Sequence, residues 1–105
     1  MQIQVNTDNF IHGDERVIEV AEAAVETDLG RFADRLTRIE VHLKDQNADK
    51  HGPAHIHCTM EARPKGGRPL AATDEAEDIQ KALKGAATKL RGRLDRELGK
   101  TDSHR

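Results

Sequence analysis

The chain has 105 residues, 34% charged and 35% hydrophobic, with 17 Lys+Arg against 19 Asp+Glu for a formal net charge of −2. That size fits one domain with a lean core and excludes a deep catalytic cleft; no apolar run approaches the ~18 residues of a membrane helix, and MQIQVNTDN lacks the basic-then-apolar order of a signal peptide. The lone cysteine, Cys58, excludes an internal disulfide, so a reducing cytoplasmic location is expected.

Residues 2–6, QIQVN, alternate, with Ile3 and Val5 on one face, and predict a short strand. Asp14 is placed to cap a helix, with Glu15 at the positive end of its dipole. Val17, Ile18, Ala21, Val25, Leu29, Phe32 and Leu36 then recur mostly at spacings of three and four, as a helical core stripe does. Gly30 interrupts it at a cost of about 1 kcal/mol relative to Ala, which leaves the helix end open.

Residues 38–44 alternate strictly, with Ile39, Val41 and Leu43 to one side and Arg38, Glu40, His42 and Lys44 to the other. The breaker-rich DQNADKHGP is a loop. Residues 54–62 alternate again, with Ile56, Cys58, Met60 and Ala62 inward and His55, His57, Thr59 and Glu61 outward. RPKGGRP predicts a hairpin tip whose two central glycines supply positive φ, and Leu70 and Ala72 mark a short fourth strand.

Thr73 or Asp74 is expected to cap a long last helix, with Ile79, Leu83, Ala86, Ala87, Leu90, Leu94 and Leu98 as its buried stripe. Acid at its start (Asp74, Glu75, Glu77, Asp78) and base along the rest suit the macrodipole. Residues 1–100 are expected to form a single domain and 101–105 a disordered tail. The expected fold is α+β and two-layered, β-α-β-β-β-α, with a four-stranded, antiparallel-rich sheet, both helices on one face and the other face wet.

The segment HGPAHIHCT gathers His51, His55, His57 and Cys58. Alternation divides them: His55 and His57 share the solvent face, whereas Cys58 points into the core as a small hydrophobe. A hairpin that brings His42 beside His57 leaves a three-histidine metal site of His42, His55 and His57 open. No nucleophile–base pair, phosphate loop or dinucleotide glycine pattern is present, so no enzyme is expected.

Cations are concentrated late in the chain. Lys89, Arg93, Arg96 and Lys100 follow i, i+4, i+7, i+11 and form one stripe; Lys81, Lys84 and Arg91 lie on the opposite flank. Arg63, Lys65 and Arg68 add charge at the hairpin tip. Residues 14–28 are acidic instead, so the molecule is expected to be electrically two-sided. Only Phe10 and Phe32 are aromatic, so RNA binding would rely on phosphates and shape, not base stacking.

MQIQVNTDNF, the strands IEVHLK and AHIHCTMEA, and DIQKALKGAATKLRGRL occur in an order that resembles the ribosome hibernation-promoting factor family in its short form. These proteins are also called ribosome-associated inhibitor or sigma-54 modulation proteins. The spacing Asp78…Ala82-Leu83…Lys89-Leu90…Leu94 is the most telling part. The resemblance implies a fold similar to double-stranded RNA-binding domains. It also implies binding to ribosomal RNA of the small subunit in the mRNA/tRNA channel, where the protein blocks translation under stress. By position, Lys89, Arg93 and Arg96 resemble the RNA-contacting helix face, with Lys81 and Lys84 in the same helix. No cofactor, membrane or DNA is implied. The chain departs from the pattern in its net acidity, in Gln80 where an aromatic is common, and in the second domain through which long members pair ribosomes. A protein-interaction module of the same fold, and the histidine metal domain, stand as alternatives.

Overall fold

The computed structural model describes residues 1–8, 11, 14–47 and 52–102, with side chains through Gly99. Phe10, His51, the Lys100 side chain and residues 103–105 lie outside the described residues. The elements are β1 (Gln2–Thr7), α1 (Glu15–Leu29), a 3-10 segment (Gly30–Arg35), β2 (Leu36–Asp45), β3 (Ile56–Pro64), β4 (Leu70–Ala76) and α2 (Ile79–Asp102). The α2 backbone is thus helical two residues into the stretch expected as a tail.

The sheet order is β1-β2-β3-β4. β1 runs parallel to β2, with Ile3 beside Ile39 and Val5 beside Val41. A parallel pair needs a crossover, and α1 supplies it. β2–β3 and β3–β4 are antiparallel, with Val41 opposite Met60 and Met60 opposite Ala72. Both helices cover one face, α1 on the β1 side and α2 over β3 and β4.

The core joins Ile39, Val41, Leu43, Ile56, Cys58, Met60 and Ala62 of the sheet to Ala21, Val25 and Leu29 of α1 and Leu83, Leu90 and Leu94 of α2. The strict alternation of β2 and β3 fixes which face is buried, because side chains repeat every second residue.

The departures from the expected elements have local causes. The α1 stripe stops at Leu29, and Phe32 is buried from the 3-10 segment that follows. Leu36 belongs to β2, where a register shift between Leu36 and Arg38 turns it into the core against the alternation. Ile18, expected in the core stripe, is exposed. At the hairpin tip only Gly66 has positive φ (69°) among the described tip residues. It occupies the third position of a turn closed by the Gly67 N–H on the Pro64 carbonyl, where a type II turn demands that conformation.

β4 is longer than expected and runs through Asp74 and Glu75 to Ala76, so neither Thr73 nor Asp74 caps α2. Asp78 does: its carboxylate accepts from the Lys81 N–H at 2.8 Å. Asp14 caps α1 as expected, accepting from the Val17 N–H at 3.1 Å.

Candidate nucleic-acid interface

α2 carries base on two flanks of its buried stripe, and the fold gives the flanks different neighbours. One flank meets α1. There Asp28 is buried, its side chain 3% exposed; it accepts from Arg91 at 3.1 Å and stands 3.5 Å from the Lys84 ammonium. Arg31 reaches across the same seam to pair with Asp95, and its guanidinium lies over the Phe32 ring. Lys84 and Arg91, expected as phosphate ligands, therefore face a carboxylate already in place. Lys81, at the start of α2, pairs with Glu77 at 2.6 Å. That hydrogen bond raises the lysine pKa and lowers that of the glutamate.

The other flank meets the β4 edge. Lys89 donates to the Thr73 carbonyl at 3.2 Å and to Asp74 at 3.0 Å. The Lys89 bond is the main reason the Asp74 carboxyl titrates below its ordinary range. Arg93 donates to the Ala71 carbonyl. These side chains cover main-chain carbonyls along an edge strand, one way to discourage edge-to-edge pairing. The close seat of Asp74 requires Gly85: a Cβ there would lie 1.5 Å from an Asp74 carboxylate oxygen.

Arg68 and Arg93 line one cleft with Pro64, Leu70 and Glu97. The hairpin tip and the α2 flank thus adjoin, a proximity no sequence spacing shows. Lys65, Arg68, Arg93 and Arg96 are all exposed. Among the described residues none of the four has a carboxylate partner. Arg63 is not at the tip; it lies in β3 on the open sheet face, bonded to Glu61 at 2.9 Å and 3.4 Å from Glu40.

The acid is on the far side. Glu15, Glu19, Glu22 and Glu26 recur at i, i+4, i+7, i+11 and form one stripe along α1. Val20, Ala24 and Asp28 face the α2 seam with Leu83 and Lys84, which leaves the glutamates on the outer flank. The molecule is two-sided as expected, with acid outside α1 and open cations outside α2 and β4. The nine expected RNA ligands whose side chains are described do not form one patch, however. Asp28 and Gly85 were missed, although each left a trace. Asp28 continues the Ala21, Val25 spacing into the core, and a glycine within a strong helical pattern signals close approach.

The three histidines do not converge. Register sets His42 opposite Thr59 and His57 opposite Lys44, so His42 and His57 are diagonal neighbours. His55 instead pairs with Glu75 at 2.8 Å. Among the described residues no group of three His, Cys, Asp or Glu side chains is placed to hold a metal ion. Cys58 is fully buried, and burial, with the Asp74 charge second, pushes its thiol to about 12, so it stays protonated. No described helix is long and apolar enough to cross a membrane.

Residues 3–102 match the model of a protein family described as sigma 54 modulation protein / S30EA ribosomal protein. A ribosomal subunit interface protein from Coxiella burnetii is similar in structure, with a TM-score of 0.78 at 15% identity over 94% of this chain and 99% of that one. The N-terminal domain of Thermus thermophilus Protein Y gives 0.74 at 18% identity over 91% and 98%. At such identities the likeness is one of fold. No curated protein matches the chain significantly.

Proposed function

The chain belongs to the sigma 54 modulation protein / S30EA ribosomal protein family, whose members are non-enzymatic, ribosome-associated hibernation and inhibition factors, and from that premise we propose how it engages the ribosome. It binds ribosomal RNA of the small subunit in the mRNA/tRNA channel, in the cytoplasm, and its bulk inhibits translation there. Arg93 and Arg96 of α2 with Lys65 and Arg68 of the hairpin tip make the leading phosphate contacts. Lys89 joins them once it exchanges Asp74 for a phosphate, and Lys100 continues the same stripe in sequence. Lys81, Lys84, Arg91 and Arg63 contribute less, because each would have to leave a carboxylate.

One observation carries this reading: Arg68 of the hairpin tip and Arg93 of α2, both exposed and without a carboxylate partner among the described residues, line one cleft on the side of α2 away from the α1 glutamates. A polyanion approaching that side gains Coulomb attraction without meeting the acid stripe. Each phosphate neutralised adds slightly less than one unit to the salt dependence of binding.

Sedimentation with purified small subunits tests it. Binding at low salt that falls steeply as salt rises, and is lost in an Arg93→Glu, Arg96→Glu variant, is the expected result. Absence of co-sedimentation at low salt overturns it. The α1 acid stripe favours one second reading, a protein-interaction module of this fold; recovery of one discrete protein partner without ribosomal RNA would select it.

A further inference from the structure

The two edges of the sheet are finished differently. Along β4 the side chains of α2 close the edge: Lys89 donates to the Thr73 carbonyl and Arg93 to that of Ala71. β1 is the other edge. It pairs with β2 on one side, and among the described residues nothing bonds to its main chain on the other. The strand, QIQVNT, has no charged side chain, no proline and no register shift, the usual guards against further pairing. Such an edge presents a row of unpaired N–H and C=O groups to an extended chain. Ile3 and Val5, which point toward the helices, are only half-buried.

The helix beside this edge sets the charge of what can pair there. α1 packs between β1 and α2. Val20, Ala24 and Asp28 turn toward α2, and Ala21 and Val25 into the core. With about 3.6 residues per turn, Glu15, Ile18, Glu22 and Glu26 fall on the opposite flank, beside the β1 edge. Ile18 is exposed there, as is Met1 at the start of the strand. Among the described residues none of these glutamates has a cation partner. Arg16, the only cation of α1, precedes Val20, Ala23 and Thr27 at i, i+4, i+7, i+11, and so lies on the α2 side. The lengths agree. Six residues of strand cover roughly 20 Å, and Glu15 to Glu26 rise about 17 Å. Side chains on one face of a strand recur every ~7 Å, close to the ~6 Å rise from Glu22 to Glu26.

We propose that the β1 edge is a docking site for an extended basic polypeptide. It adds to the four-stranded sheet as a further strand and lays lysine or arginine at alternate positions along the α1 glutamates. In this mode main-chain pairing supplies affinity, and the alternate side chains supply selectivity. Ile18 gives the apolar stems of those side chains a surface to cover. A second copy of the chain is disfavoured, because β1 paired about a two-fold axis would set two glutamate stripes against each other. RNA is repelled by the same stripe. The site is at the opposite edge of the sheet from Lys89 and Arg93, so the inference does not rest on RNA binding there.

The test uses the full chain and a synthetic peptide of about ten residues, long enough to span β1, that alternates lysine with threonine. Backbone amide resonances of the protein follow the titration. Shifts and slowed hydrogen exchange are expected in β1, with shifts in α1. A Glu22→Gln, Glu26→Gln variant should lose about fivefold or more in affinity, and an Arg93→Gln, Arg96→Gln variant should bind as the wild type does. Two further peptides carry N-methyl groups on every lysine or on every threonine. One pattern removes the N–H groups that face β1 and should abolish binding; the other should leave it intact. Equal behaviour of the two N-methylated peptides would show attraction without strand addition and overturns the proposal. So do equal binding of a glutamate–threonine peptide, β1 amides that do not respond, or self-association through β1 that excludes the peptide. Should the double glutamine variant not fold, the two N-methylated peptides decide with the protein unchanged.

Discussion

The two flanks of α2 both carry lysine and arginine, yet only one is open to a partner. Toward α1, Lys84 and Arg91 meet a carboxylate buried in the seam between the helices. Toward β4, Arg93 bonds a main-chain carbonyl, and Arg96 has no carboxylate partner among the described residues. A cation that satisfies a buried acid is structural, because withdrawing it strands a charge in low dielectric. A cation on an edge carbonyl gives up one exchangeable hydrogen bond and can be shared with phosphate. Charge counting along the helix treats the flanks alike; the neighbours separate them.

The largest effect expected on this contrast comes from removing Arg91. Arg91→Ala leaves Asp28 with only the more distant Lys84, and roughly 2 kcal/mol of stability should be lost. That is below the 3–5 kcal/mol of a fully buried pair, because the arginine is partly solvated. Urea unfolding measures it; a loss no larger than that of Arg96→Ala would mean the flanks are equivalent.

Gly85→Ala comes next. The new methyl would displace the Asp74 carboxylate from its seat and from Lys89. Overpacking costs about 1–3 kcal/mol while the Gly-to-Ala change returns about 1 kcal/mol of helix propensity, so a net loss of about 1 kcal/mol is expected in thermal or urea melts. A stabilised variant would show that the strand does not press on the helix there.

Arg93→Gln with Arg96→Gln should scarcely change stability, within about 0.5 kcal/mol, as exposed substitutions usually do. It should make the salt slope of RNA binding shallower by about two units. Lys84→Gln, on the other flank, should leave that slope almost unchanged; equal slopes for the two would erase the distinction.

The smallest effect is the acid limb of Asp74. Its folded pKa is lowered, so its contribution to stability is full above the ordinary carboxylate range and fades as pH falls through the folded value. The stability difference between wild type and Asp74→Asn should therefore vanish in strong acid. At neutral pH the same variant should bind RNA slightly more tightly, since Lys89 loses its internal competitor. A difference that grows toward low pH would contradict the pairing.

Much of the architecture was legible because its signals are local. Alternation at Ile39, Val41 and Leu43, and at Ile56, Cys58 and Met60, repeats with the pleat, so both the strand and its buried face follow from residue order. The Ala86, Leu90, Leu94 stripe does the same for α2. Boundaries were less legible where two local preferences compete. Asp74 and Glu75 look like helix-opening acids, but pairing with Cys58 and His57 keeps them in β4 and leaves Asp78 as the cap. Leu36 fits the helical spacing, yet a register shift gives it to β2.

By itself the sequence determined the order of elements, the composition of the core and the separation of acid from base along the chain. These depend on periodicities of 2 and 3.6 residues, and a single strand of text carries them. Only the tertiary structure decided which cations are available. That depends on pairs far apart in sequence: Asp28 with Arg91, Asp74 with Lys89, Arg68 beside Arg93. Coulomb energy is set by distance in space and by the dielectric of the surroundings, and neither is written in residue spacing.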